Sequence, residues 1–187
     1  MKNTCTLLLA IFLVLSLSEG AIAKGKGGGK HYVFNLVGTA IGTEGMVPDP
    51  DKPGEEISAN CFEVDLIDLK NRRHIGKAVD CLSVQEILGD FEFIRLIGTT
   101  TFHLPQGSVT TQGFTTVAKV QQVTESPTVG AITHFTAAAG TGNAIIDGTK
   151  RFKNAAGTSR LSGLVNLANL LTINEITFDC IFVVDID

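Results

Sequence analysis

The 187-residue sequence has no tryptophan and a single tyrosine, Tyr32. A chain so poor in large flat side chains cannot present a row of platforms for stacking bases. Its 15 basic and 19 acidic residues leave a net charge of −4, so it also lacks the positive field that draws polynucleotides. No nucleic-acid partner is expected. Asn-x-Ser/Thr sequons are absent, which removes N-glycosylation from consideration. Several chemical signatures are missing as well. GTGNAIIDGTK has five residues between Gly142 and Gly148, and Thr149 separates Gly148 from Lys150, so it is not a phosphate-binding loop. No serine nucleophile elbow and no Cys or His pair at zinc spacing occurs. His31, His74, His103 and His134 are scattered, as surface or internally satisfied histidines are. No metal and no cofactor is expected.

The N-terminus reads as a targeting segment. Lys2 precedes an apolar run, Leu7–Leu17, which is too short to span a bilayer comfortably, and Ala21-Ile22-Ala23 forms a small-x-small cleavage site. Residues 1–23 are expected to be removed as a signal peptide. Cys5 leaves with it. KGKGGGK, residues 24–30, is a flexible leader that cannot fill a core. No other apolar run is long enough to cross a membrane, so the mature chain is expected to be secreted, or periplasmic if the source is a Gram-negative bacterium. Residues 31–187 suit one domain with a real core.

What is abundant is strand signal. Val, Ile, Thr and Phe recur, punctuated at short intervals by Gly or Pro. In TFDCIFVVDI, Phe178, Cys180, Phe182, Val184 and Ile186 share one face and Thr177, Asp179, Ile181, Val183 and Asp185 the other. A strand apolar on one face and mixed on the other belongs in the body of a sheet. Further strands are expected at residues 31–41, 57–69, 75–85, 91–102, 108–120, 130–139, 143–147 and 159–165. Residues 42–56, with Pro48, Pro50 and Pro53, read as an exposed loop. The apolar spacing of residues 164–174 is compatible with a short helix. The fold class is all-β. Eight or nine strands must hide their edges, and either a closed barrel or a β-sandwich does so.

Three cysteines remain in the mature chain. A hairpin register that sets Cys61 opposite Cys81 also sets Asp65 opposite Lys77 and Asp68 opposite His74, with the turn centred on Asn71. A Cys61–Cys81 disulfide is therefore expected. Closing a loop of about 20 residues stabilises by ~3 kcal/mol in the loop-entropy account. Cys180, on the apolar face of the last strand, is expected to be a buried free thiol. Among the carboxylates, Asp65, Glu92 and the nearby Arg95 are the candidate catalytic groups. If they face a lumen, a buried carboxyl there has a raised pKa and serves as general acid or base. The competing reading makes them solvent-facing members of alternating strands, or ion pairs such as Asp65 with Lys77.

The second half carries a longer pattern. A strand and turn lead to Gly107-Ser108, with Gln112-Gly113 following. AIIDGTKRFKNAAGTSRLSG then contains Gly148-Thr149-x-x-Phe152-x-x-Ala155-x-Gly157, and a closing strand ends the chain. Over residues 99–187 this resembles the dirigent and allene oxide cyclase barrel-like family. The resemblance implies a closed antiparallel eight-stranded barrel around an apolar cavity, in a family whose members often assemble as homotrimers. It also implies a small apolar ligand held for cyclisation or isomerisation by proximity and exclusion of water. Plant dirigents tend to carry an acidic residue just before the turn Phe and an Arg just before its last Gly; here those positions are Arg151 and Ala156. In the turn itself, Gly148 and Gly157 are expected to supply φ > 0, Phe152 an apolar anchor, and Lys150, Arg151 and Lys153 a solvated rim. The alternatives are a non-catalytic secreted module acting through its surface or by self-association, and a lipocalin-like carrier on another barrel topology.

Overall fold

A computed structural model describes residues 29–187. The segment expected to be a signal peptide, residues 1–23, and all but the last two residues of the expected Gly/Lys leader lie outside the described residues. The rest forms ten strands: β1 Lys30–Ile41, β2 Thr43–Pro48, β3 Glu56–Asp68, β4 Arg73–Leu88, β5 Phe93–Leu104, β6 Gly107–Ser126, β7 Gly130–Ala138, β8 Ala144–Gly148, β9 Gly157–Asn166 and β10 Glu175–Ile186. A single helical turn, α1 Leu170–Ile173, precedes β10.

All pairings are antiparallel and belong to one sheet. β1 pairs with β10 along its whole length and with β3 through Phe34–Val37. That double pairing turns the order β1-β10-β9-β7-β6-β5-β4-β3 back on itself, so the strands form a ring. The last strand sits in the body of the sheet, between β1 and β9, as its two-faced composition requires.

Two expectations about the elements are corrected. Residues 42–56 are not all loop: Thr43–Pro48 pair with β3 as β2, and only the proline-rich remainder is an exposed turn. Burial explains the strand. Val47 is fully covered and packs with Ala59 and Ile97 in a small cluster on the outer face, beside Ile57 and Cys81. The helix expected over residues 164–174 shrinks to the four residues of α1, because residues 164–166 are drawn into β9 by pairing with β10 and β7. Tertiary pairing overrides a weak local pattern.

The β3–β4 hairpin holds its register. Cys61 opposes Cys81 and the two form a disulfide; Asp65 opposes Lys77. Beyond Leu66 a bulge at the Gly76 end shifts the pairing, so Asp68 faces Arg73 rather than His74. Asp68 instead caps the turn, accepting from the Lys70 amide and from the Asn71 side chain.

The interior differs from end to end. At one end, Phe34, Phe102 and Phe182 pack ring to ring, with centroids 5.4 and 5.2 Å apart. Tyr32 closes over this group and meets Phe152 edge-on at 6.1 Å. Phe152 is thus the anchor of its glycine-rich turn, and Lys150, Arg151 and Lys153 lie in water. Gly157 is there for its backbone: φ is +145°, and a Cβ would strike the Asp185 carbonyl. Gly148 does not adopt positive φ; it is needed because a Cβ would collide with the Phe152 carbonyl.

Candidate functional site

The other half of the interior is hollow, and the sequence of two neighbouring strands shows why. Along β5 the inward residues run Leu96, Gly98, Thr100, Phe102; their partners on β6 are Thr115, Gly113, Thr111, Val109. Past Leu96 small groups face small groups, Gly98 to Gly113 and Thr100 to Thr111, until Phe102 and Val109 fill the far end. The space left is a cavity of about 280 Å³, also bounded by Phe62, Leu82, Ile94, Val117, Phe178 and Phe182. Asn143 folds over Gly113, where a Cβ would collide with it, and donates its amide to the Ala139 carbonyl.

The mouth lies where β4 turns into β5 and where α1 precedes β10. Val84, Ile87, Phe91, Leu167, Leu170 and Leu171 line the cavity there. Exposed apolar side chains gather at this end: Val84, Ile87, Leu88, Leu171 and Ile173, with Ile41 close to Asn174 through the Gly42–Asn174 backbone bond. His134 sits just below the rim and is internally satisfied. One ring nitrogen meets the Phe91 carbonyl at 2.9 Å and the other the Thr133 hydroxyl at 2.9 Å.

The wall carries one ionisable carboxyl, Asp80 on β4. It is buried, and Thr100 on β5 donates to its Oδ1 at 2.7 Å. Phe62 stands opposite it on β3. Desolvation pushes its pKa up to about 6, against the pull of the Thr100 bond. The Cys180 thiol lines the same cavity, free and buried. Burial, reinforced by the nearby Asp80 and Asp179 charges, raises its pKa, which keeps it a thiol rather than a nucleophilic thiolate. Around them Thr111, Thr115, Thr136, Asn143 and Ser159 add polar groups to a mainly apolar wall.

The three candidate catalytic groups do not line the cavity; they take the solvent-facing and ion-paired positions of the competing reading. Asp65 points outward and pairs with Lys77 Nζ at 2.8 Å; that hydrogen bond above all holds its carboxyl below the usual range. Glu92 is exposed in the turn before β5, where its carbonyl accepts from the Lys119 amide. Arg95 is exposed and lies over the Phe114 ring, 4.2 Å from its centroid. Strand alternation is the physical reason. The face that carries the disulfide also carries Asp65 and Lys77, so it is the solvent face.

Asp80 was the residue to find, and the same register held the signal. If Cys81, Val79 and Lys77 face out, then Leu82, Asp80 and Ala78 face in, beside Phe62 and Val64. A carboxylate placed on the apolar face of an otherwise regular hairpin marks a site.

No family model and no curated protein matches this chain. Among the described residues there is no group of three or more His, Cys, Asp or Glu side chains placed to hold a metal, and no helix is long and apolar enough to cross a membrane. The functional reading therefore rests on the cavity itself.

Proposed function

We propose that the ring is a closed eight-stranded barrel of the allene oxide cyclase and dirigent kind, exported from the cell, and that it binds a small apolar molecule in its lumen. The observation that carries this is the cavity: about 280 Å³ of mainly apolar space with a mouth at one end and one buried carboxyl on its wall. That size falls just below the usual range of ligand pockets, roughly 300–1,000 Å³, so it suits a small ligand. A cyclisation or isomerisation is the chemistry such a site serves, because neither needs a co-reactant. Asp80, with a pKa near neutrality, is the group able to take up and return a proton. The disulfide between Cys61 and Cys81 fits an oxidising compartment.

The test is a titration with N-phenyl-1-naphthylamine, an uncharged dye whose emission rises in apolar surroundings. The expected result is saturable binding of one dye per chain, lost in Thr115→Phe, which places a ring in the cavity, while the circular dichroism spectrum is retained. Unchanged dye binding in that variant sinks the lumen reading.

A second reading, self-association, is favoured by the outer wall of β7, β9 and β10. Phe135 is exposed opposite Leu164, and the exposed Ile181 lies next to Leu164's partner Asp179 with one residue between. A homotrimer formed on this wall would sediment as three chains at micromolar concentration; a monomer under those conditions rejects it.

A further inference from the structure

Resting on the lumen reading above, we infer that the cavity selects a lipophilic cation: a primary or secondary ammonium on a short apolar tail, with its head against Asp80.

The argument starts from charge balance. None of the side chains lining the cavity is Lys, Arg or His. Asp80 on β4 therefore stands in an apolar enclosure with no countercharge. The groups facing it are neutral: Phe62 and Asn60 from β3, Thr100 from β5, Thr111 from β6, and the Cys180 thiol from β10. Asp179, the next acidic group along β10, belongs to the opposite face of that strand and bonds to Asn35. Thr100 is the only hydrogen-bond donor to Asp80 among the described residues, and it serves Oδ1 alone.

A buried carboxylate with one hydrogen bond is an expensive arrangement. A bound cation removes the cost by supplying both the missing charge and further donors. On the adjoining strands Thr100 opposes Asp80 and Thr111 opposes Thr100, and their hydroxyls on the wall offer acceptors for an ammonium head. The rings of Phe62, Phe91, Phe178 and Phe182 line the same space and favour a desolvated cation over a neutral head. A carboxylate ligand meets the opposite situation. It would bury a second negative charge beside the first, with no Lys, Arg or His to receive it. The cavity is thus built against fatty-acid anions, and a neutral alcohol would leave the Asp80 charge uncompensated.

The experiment uses three probes with one tail: octylammonium, 1-octanol and octanoate, each competing against bound N-phenyl-1-naphthylamine. At pH 7.5, octylammonium is expected to displace the dye at about tenfold lower concentration than either of the others, the scale of one partly buried ion pair. Its advantage is expected to vanish as pH falls to 4.5. Asp80 becomes protonated over that range, whereas an alkylammonium, like lysine, keeps its charge. Asp80→Asn, of the same shape, should rank octylammonium no higher than 1-octanol, whatever its own affinity for the dye.

If the dye binds but 1-octanol or octanoate displaces it as well as the amine, the inference is overturned and the lumen reading stands. The same holds if the amine preference survives in Asp80→Asn or at pH 4.5. If the dye does not bind at all, the lumen reading fails and takes this inference with it. The pH series needs no variant, so the outcome does not depend on how Asp80→Asn folds.

Discussion

The two ends of the ring are built from the same strands and do opposite things. At the packed end, Phe34, Phe102, Phe152 and Phe182 fill the interior; at the open end, Gly98, Gly113, Thr100, Thr111 and Thr115 leave it hollow. A shift of two residues along β5, from Thr100 to Phe102, moves from one regime to the other. Stability is thereby concentrated where there is no cavity. The hollow half instead carries a liability, the buried Asp80. The proposed lumen binding would require such a division, because space left open for a ligand cannot also supply the core.

The sharpest way to break the comparison is to hollow out the packed end. Phe102 is fully buried between Phe34 and Phe182, so Phe102→Ala leaves a void in close-packed rings. The expected loss is about 3–5 kcal/mol, or roughly 10–15 °C in Tm for a chain of this size. Thermal unfolding by circular dichroism measures it. A loss below about 1 kcal/mol would mean that the aromatic end is itself loosely filled and that the two halves do not differ in kind.

The open end should respond with the opposite sign. Asp80 has its pKa raised to about 6 in the folded protein, above the ordinary aspartate value of 3.8. Between those values the folded state binds more protons than the unfolded one, so stability falls as pH rises through that window. By pH 8 the penalty is on the order of 3 kcal/mol. Asp80→Asn, which removes the charge and keeps the shape, is therefore expected to raise Tm at pH 8 by several degrees, up to about 10 °C, and to leave it nearly unchanged at pH 4. Equal Tm values for the two proteins at pH 8 would show that Asp80 bears no desolvation cost and that the open end is not a strained site.

How much of this contrast was legible beforehand follows from which signals are local. The all-β class, the β3–β4 register and the disulfide came from alternation and from charges that fall opposite each other once the cysteines do. The buried thiol of Cys180 followed from the face it shares with Phe178 and Phe182. Asp80 was within reach of the same reasoning, because the face assignment of Lys77 and Cys81 determines its own. Attention to Asp65, Glu92 and Arg95 followed chemical type, and each of them proved to point outward. Neither β2 nor the cavity was available from local pattern. Val47 needs Ala59 and Ile97, distant in sequence, to make a strand of a proline-flanked segment. The hollow needs Gly98 to meet Gly113, a pairing that only the assembled β5–β6 ladder reveals.

The smallest effect is expected at the rim. Leu171 is 74% exposed on the turn α1, lines the mouth, and packs into neither buried cluster. Removing an apolar group that water already reaches costs little, so Leu171→Ser should shift Tm by no more than about 2 °C. That near-neutrality is informative beside Phe102. An apolar side chain with no stake in the fold, placed at the entrance of an apolar cavity, is what the proposed entry of an apolar ligand would call for. A fall of 5 °C or more would show that α1 acts as a lid packed onto the core. The open end would then be a closed one, and the difference between the two halves would reduce to the size of their side chains.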